Sequence, residues 1–252
     1  MIEYSDGTGV SPQDLKLLWK KAFGDEDSFI DTFFTSGYAP DCCRVGLQDS
    51  RLVGMLFWFD CLLEGERLAY IYGVATDPDA QGQGVATGLM ENTHSLLRSR
   101  GYCGAVLVPG SEQLFRFYEK RGYRVVSFVT EGQVTACGST ELTAIDSKTY
   151  MELRNEMMDG PCIRQTGRNQ RFLAELADCY RGEGILAAMS RQESGRCMEY
   201  LGDAEHLPQV AGGLKLDTMS YRMPGQGRPF AMGLFWDGKK QVQQVYFGLA
   251  FD

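Results

Sequence analysis

A chain of 252 residues, 44% hydrophobic and 23% charged, can form one large domain or two small ones and bury a sizeable core. Its 33 acidic residues outnumber 25 basic ones, and the net charge of -8 argues against nucleic acid as the main partner while suiting a cationic amine. Eight scattered cysteines without C-x-x-C spacing argue against a disulfide framework, and with His94 and His206 as the only histidines neither a His-rich metal site nor a Ser–His hydrolase is expected.

No run approaches the roughly 20 apolar residues of a membrane span. The opening Met1-Ile2-Glu3-Tyr4-Ser5-Asp6 lacks the basic-then-apolar order of a secretion signal. A cytoplasmic protein with no metal and no membrane partner is expected. The first helix begins at Ser11-Pro12, carries Leu15, Leu18, Trp19, Ala22 and Phe23 at helical spacing, and stops at Gly24. A second follows from Asp27 to near Gly37, with Phe29, Ile30, Phe33 and Phe34 on one side. Strands are expected over 43–48, 52–63 and 67–76, joined by turns at Asp49-Ser50-Arg51 and Glu64-Gly65-Glu66. The last of them, through Leu68 to Ala75, does not alternate and reads as a central strand covered on both faces.

A polar turn, Asp77-Pro78-Asp79-Ala80, leads into Gln81-Gly82-Gln83-Gly84-Val85-Ala86 and an amphipathic helix that ends at Gly101. Two glycines between a strand and a helix let backbone N–H groups converge at a helix N-terminus, a ready anion site. A nucleoside-triphosphate loop needs a lysine after its last glycine, and Val85 stands there. Gly82, Gly84 and Gly88 imitate a dinucleotide fingerprint, but Asp77 to Gln81 separate them from the strand, and the next strand ends in Pro109-Gly110 with no acidic residue for a ribose. A purely structural turn is the plain alternative.

Beyond it come a strand at 105–108, a helix capped by Ser111 and ended by Gly122, and two strands over 123–129 and 133–137. Later elements are helices over 147–158 and 170–180, with a short one near Glu205 to Val210. Strands are expected over 185–189, 197–201, 218–222, 230–236 and 241–247.

Gln81-x-x-Gly84-x-Ala86, after a strand ending Gly73-Val74-Ala75-Thr76, resembles the acyl-CoA-binding motif of the GNAT acetyltransferase superfamily. Phe117-Tyr118-Glu119-Lys120-Arg121-Gly122-Tyr123 is similar to that family's F-Y-x-K-x-G-F segment, one helix and one strand further on. The resemblance covers residues 1 to 138 or so. It implies an α+β (α/β) fold, a mixed central sheet splayed into a V and flanked by helices. The chain would divide into a GNAT domain over 1–140 and a smaller α+β domain over 141–252, which could be a degenerate copy of half the same fold.

The resemblance also implies chemistry. The pantetheine arm of acetyl-CoA would pair with the backbone of Val74, Ala75 and Thr76. The pyrophosphate would sit on the N–H groups of Gly82, Gln83, Gly84, Val85, Ala86 and Thr87, with Gln81 and Gln83 where the family often has Arg or Lys. Ser111 would face the thiol end, although its helix cap alone explains it. Tyr118 would be the acid for the departing thiolate, and a substrate amine would attack the thioester directly. For the base, Asp60, Glu64, Glu66, Tyr70 and Tyr72 lie near the cleft by strand position. The carboxylate-bearing Asp252, at the end of the apolar Tyr246-Phe247-Gly248-Leu249-Ala250-Phe251, is a further candidate. The expected activity is N-acetylation of a primary amine on a small molecule or peptide; a non-catalytic acyl-CoA sensor is the alternative. The second domain would shape the acceptor site or serve as a stabilising or homodimer-forming appendage.

Overall fold

The structure is a computed structural model and describes residues 1–158, 160–236 and 244–251. The chain packs as two compact units. The first comprises Met1–Leu107, Thr166–Phe172 and the short stretch from Phe235; the second comprises Val108–Gln165, Leu173–Leu234 and the C-terminal segment.

In the first unit, β1 (Ile2–Asp6) is followed by α1 (Pro12–Phe23) and α2 (Asp27–Thr32), then by β2 (Cys43–Gln48), β3 (Arg51–Leu63), β4 (Glu66–Thr76), α3 (Val85–Ser99) and β5 (Gly104–Leu107). The Ser11 hydroxyl caps α1 by accepting from the Asp14 N–H at 3.1 Å, and Gly24 closes the helix in the left-handed region at φ 77°. The second helix departs from the expectation of one α-helical run to Gly37. Its last turn, Phe33–Gly37, is π-helical. Asp49 and Ser50 both have positive φ, 50° and 62°, the conformation of a two-residue hairpin turn between β2 and β3.

The strands lie in the order β1-β2-β3-β4-β5, antiparallel except for β5, which runs parallel to β4. One face of β3 and β4 is aromatic. Trp19 and Phe33 pack at 4.7 Å between ring centroids, and Phe57, Phe59, Tyr72 and Phe172 extend the cluster. Leu89, Met90 and Leu97 of α3 are buried as the helix packs on the same sheet.

The second unit contains α4 (Glu112–Glu119), β6 (Arg124–Thr135), β7 (Thr143–Ile145), α5 (Ser147–Met157), β8 (Ile163–Gln165), β9 (Ala177–Gly182), β10 (Ile185–Ser190), β11 (Arg196–Leu201), α7 (Leu207–Gly213), β12 (Thr218–Pro224) and β13 (Arg228–Phe235). Between β8 and β9 runs α6 (Arg168–Leu176). Its sheet order is β13-β6-β12-β11-β10-β9-β7, with β11 and β12 parallel and the other register-matched pairs antiparallel.

Several expectations change here. The two strands expected over 123–129 and 133–137 are one strand, β6 (Arg124–Thr135): its first half pairs with β13 and its second with β12, so both halves are held in one line. The helix expected to reach Tyr180 ends at Leu176, because residues 177–182 pair edge to edge with β10. Of the strand expected over 241–247, residues 241–243 lie outside the described residues. The rest is an extended segment with a single bridge between Cys162 and Tyr246. That segment is packed. The Val245 N–H donates to Val126 O at 2.8 Å, the Phe247 N–H to Ser127 Oγ at 3.0 Å, and Arg222 donates to Gly248 O at 3.2 Å.

A fully buried ion pair anchors this unit. Arg154 donates to both oxygens of Glu199, at 2.7 and 2.9 Å, and the Tyr150 hydroxyl donates to the same carboxylate at 2.9 Å. Burial opposes the charge on Arg154, but the adjacent Glu199 outweighs it and holds the guanidinium protonated.

Candidate active site

The site begins with an irregularity in β4. Met55 faces Ala75 and Phe57 faces Tyr72, so Gly73 and Val74 together oppose Leu56 alone. This is a β-bulge, with Gly73 at φ 58°. Only glycine takes that conformation without strain, and a Cβ there would also stand 3.1 Å from the Phe57 and Trp19 rings. The bulge turns the strand, and β5 follows it only through Leu68–Gly104, Ala69–Ala105 and Tyr70–Val106. Val74, Ala75 and Thr76 therefore have no β5 partner, and the two strands part as the V-shaped splay requires.

After Thr76 the chain makes a short 3-10 turn, Pro78–Ala80, and enters α3 at Gly84. Gly82 and Gly84 have φ of 77° and 82°, with nothing within 4 Å of an added Cβ, so the loop faces open space. No side chain caps α3. Its first-turn amides point out along the helix axis, with the positive end of the dipole behind them. Gln81, Gly82, Gln83 and Gly84 are exposed, Ala86 and Thr87 half-buried, and Val85 is buried as the anchor of the helix start. The residues named for pantetheine and pyrophosphate are thus brought together on one strand–turn–helix unit.

The loop is held by groups that the sequence did not single out. Asp77 is 5% exposed and accepts from Lys21 Nζ at 2.7 Å, from Arg51 at 2.8 Å and from the Asp79 N–H at 2.9 Å. The Lys21 hydrogen bond, aided by that N–H and Arg51, holds the Asp77 carboxyl down to about 2. Asp79 accepts from the same cations, at 2.9 and 3.4 Å. Lys21 and Arg51 stand 56 and 26 residues from Asp77 in sequence, so no local pattern connects them. Asp77-Pro78 read only as a turn.

In the second unit, Ser111 caps α4 by accepting from the Leu114 N–H at 3.3 Å. Tyr118 lies on the same helix, 6% exposed, with its ring edge-on to Phe117 and Tyr123 at 5.1 and 5.7 Å. Burial raises its phenol to about 12. Gly122, at φ 87°, ends the turn that leads into β6. Asp252 lies outside the described residues.

The other candidate bases differ in their surroundings. Asp60 accepts from the Tyr102 hydroxyl and lies 3.6 Å from Arg67. Glu64 and Glu66 are exposed at the β3–β4 hairpin. Tyr70 and Tyr72 belong to the aromatic cluster. Among the described residues, no group of three or more His, Cys, Asp or Glu side chains could hold a metal ion, and no helix is long and apolar enough to cross a membrane.

A bulged strand, an edge without a β5 partner and a glycine turn at the start of a helix follow one another here, within the segment that the family comparison matches. Residues 11–126 match the model of the acetyltransferase (GNAT) domain. Solved structures share the fold across the chain. A GCN5-related N-acetyltransferase from Kribbella flavida is 15% identical, with a TM-score of 0.69 over 94% of this chain and 71% of its own. One from Anabaena variabilis is 15% identical, with a TM-score of 0.69 over 94% of this chain and 73% of its own. Eis1 from Mycobacterium abscessus is 10% identical, with a TM-score of 0.65 over 93% and 73%. At these identities the likeness concerns fold. No curated protein matches the sequence significantly.

Proposed function

We propose that the protein is an acetyl-CoA-dependent N-acetyltransferase that acetylates a primary amine of a small molecule or peptide. The observation that carries this reading is the N-terminus of α3, opened by Gly82 and Gly84, directly after the bulged end of β4, where Val74 to Thr76 have no partner in β5. Backbone groups of Val74, Ala75 and Thr76 would hold the pantetheine as an added strand. The amides of Gly82 to Thr87 would hold the pyrophosphate. Ser111 would stand near the thiol.

Two protons must move as the amine attacks the thioester carbon and the C–S bond breaks. Tyr118 would donate one to the departing thiolate; its phenol, near 12, keeps its proton at neutral pH and delivers it only to a strong base. The other leaves the amine. Asp252 is our choice for the base, with Asp60, Glu64 and Glu66 behind it. We take residues 1–140 as the acyltransferase domain and 141–252 as a second α+β domain that walls the acceptor side. The packing units divide elsewhere because β6 pairs with β12 and β13.

The test is release of free CoA thiol from acetyl-CoA across a panel of amines. Turnover on at least one amine is the expected result. Acetyl-CoA binding with no turnover on any would favour a sensor, a reading that exposed Gln81 and Gln83 support because neither adds charge to the loop.

A further inference from the structure

The Lys21–Asp77–Arg51 cluster has no role in the chemistry above, yet it sits directly under the glycine turn. Asp77 is the N-cap of the 3-10 turn that opens the loop. One side-chain oxygen takes both the Asp79 N–H and Lys21 from α1, and the other takes Arg51 from the start of β3. Its own N–H donates to Val53 O of β3 at 2.9 Å. The loop is therefore tied to a helix and a strand through one nearly buried carboxylate, and Asp79 adds a second, exposed tie to the same cations. Elsewhere in the loop, Gln83 offers only a 3.5 Å contact to Asp79 O.

We infer that Asp77, clamped by Lys21 and Arg51, is a positioning residue that fixes the Ala80–Val85 turn in its acyl-CoA-binding conformation. The inference rests on the proposed acetyl-CoA reading. A pyrophosphate held by backbone amides has no long cationic side chain to adapt to it, so affinity depends on the amides already converging. Ordering of the loop is completed in the free protein by the clamp, and lost ordering appears as lost affinity. The two cations point at Asp77 and Asp79 instead of outward, which also accounts for their absence from the phosphate side. A cavity of about 840 Å³ lined by Lys21, Arg51 and Asp77 lies against this cluster, so the clamp is reachable from solvent.

Three measurements on the full chain decide it: acetyl-CoA Kd, kcat at saturation, and amide exchange of residues 78–88 without ligand. Asp77→Asn keeps an acceptor for the Asp79 N–H but removes the charge; Asp77→Ala removes both. Losing a charged, buried hydrogen-bond acceptor should raise the acetyl-CoA Kd about tenfold in Asp77→Asn and further in Asp77→Ala. Loop exchange should quicken in both, while kcat at saturation stays within about twofold, a split that general destabilisation does not produce. Lys21→Met and Arg51→Met, at exposed side chains, should each give a smaller rise and serve if Asp77 variants do not fold. Wild-type exchange in the loop of these variants, or unchanged Kd despite faster exchange, overturns the clamp. A wild-type protein that does not bind acetyl-CoA at all refutes the cofactor reading instead, and loop exchange then judges the clamp alone.

Discussion

Tyr118 is buried among Phe117 and Tyr123, and burial raises its phenol against the opposing charge of Arg121. Replacing it by Phe removes one oxygen and little packing, so Tyr118→Phe should lower kcat well over tenfold while leaving acetyl-CoA Kd unchanged in a direct binding titration. Because the phenol lies near 12, its proton stays on through pH ~10, and kcat should show no falling alkaline limb below that pH. A limb near pH 8–9 that persists unchanged in Tyr118→Phe would belong to another group, and one that vanishes would mean that the phenol titrates well below 12. Gly88 teaches the opposite lesson about reading residues. It completes an apparent dinucleotide pattern with Gly82 and Gly84, yet a Cβ there would collide with the Tyr4 hydroxyl of β1. Its reason is close approach between helix and first strand. That contact is long-range, so the sequence displayed the spacing without its cause.

At the scale of elements, the turn between β4 and α3 combines the proposed acyl-CoA contacts with a tie to α1 and β3. None of the turn residues Gln81 to Thr87 carries a charge, so Gln81→Arg should lower the KM for acetyl-CoA and steepen its salt dependence relative to the wild type. A titration in rising NaCl measures it. Asp77 gives the turn a pH signature. Its carboxyl is held near 2, below the ordinary aspartate value of about 3.9, so its contribution to stability is complete above pH ~4 and lost as pH falls through ~2. Urea unfolding at pH 5, 3 and 2 should find the wild-type advantage over Asp77→Asn shrinking across that window.

The elements themselves were largely legible. Ser11-Pro12 and Gly24 bound α1, the Asp49-Ser50 turn closes its hairpin, and the non-alternating run to Ala75 is a buried strand, because each signal is local. What was hidden depends on distant partners. Asp77 needs Lys21 and Arg51, β6 needs β12 and β13 to run straight through Glu131-Gly132, and β1, β7 and β8 are short strands that exist through pairing more than propensity.

For the molecule as a whole, the second unit is organised around charge more than the first. Arg154 and Glu199 are 1% and 0% exposed, and removing one leaves the other buried without its counter-charge. Arg154→Met should cost about 3–5 kcal/mol in chemical denaturation, whereas Arg154→Met with Glu199→Leu should recover much of that loss. Equal destabilisation by the single and double variants would mean that the pair matters through packing only. The C-terminal segment joins the same interior, since Tyr246 lies against Arg154, and Val245, Phe247 and Leu249 are buried. Its sequence signal was an apolar tail; its extended, bridge-only geometry was not readable, because it follows from hydrogen bonds to Val126, Ser127 and Arg222 far upstream.

None of the eight cysteines is in a disulfide, and their placement makes the protein report its own integrity. Cys42, Cys43, Cys61, Cys162, Cys179 and Cys197 are buried and Cys103 is partly covered, which leaves Cys137 as the exposed thiol. Burial pushes the Cys42 thiol up to about 11 and the Cys179 and Cys197 thiols to about 12, so they stay protonated and slow even where a reagent reaches them. An aromatic disulfide reagent that reads released CoA will also read this chain. The native protein should give one fast equivalent, and each unfolding event should give the rest. A Cys137→Ser variant silences the background of the acetyl-transfer assay, while the wild type turns the same reagent into a counter of unfolded molecules.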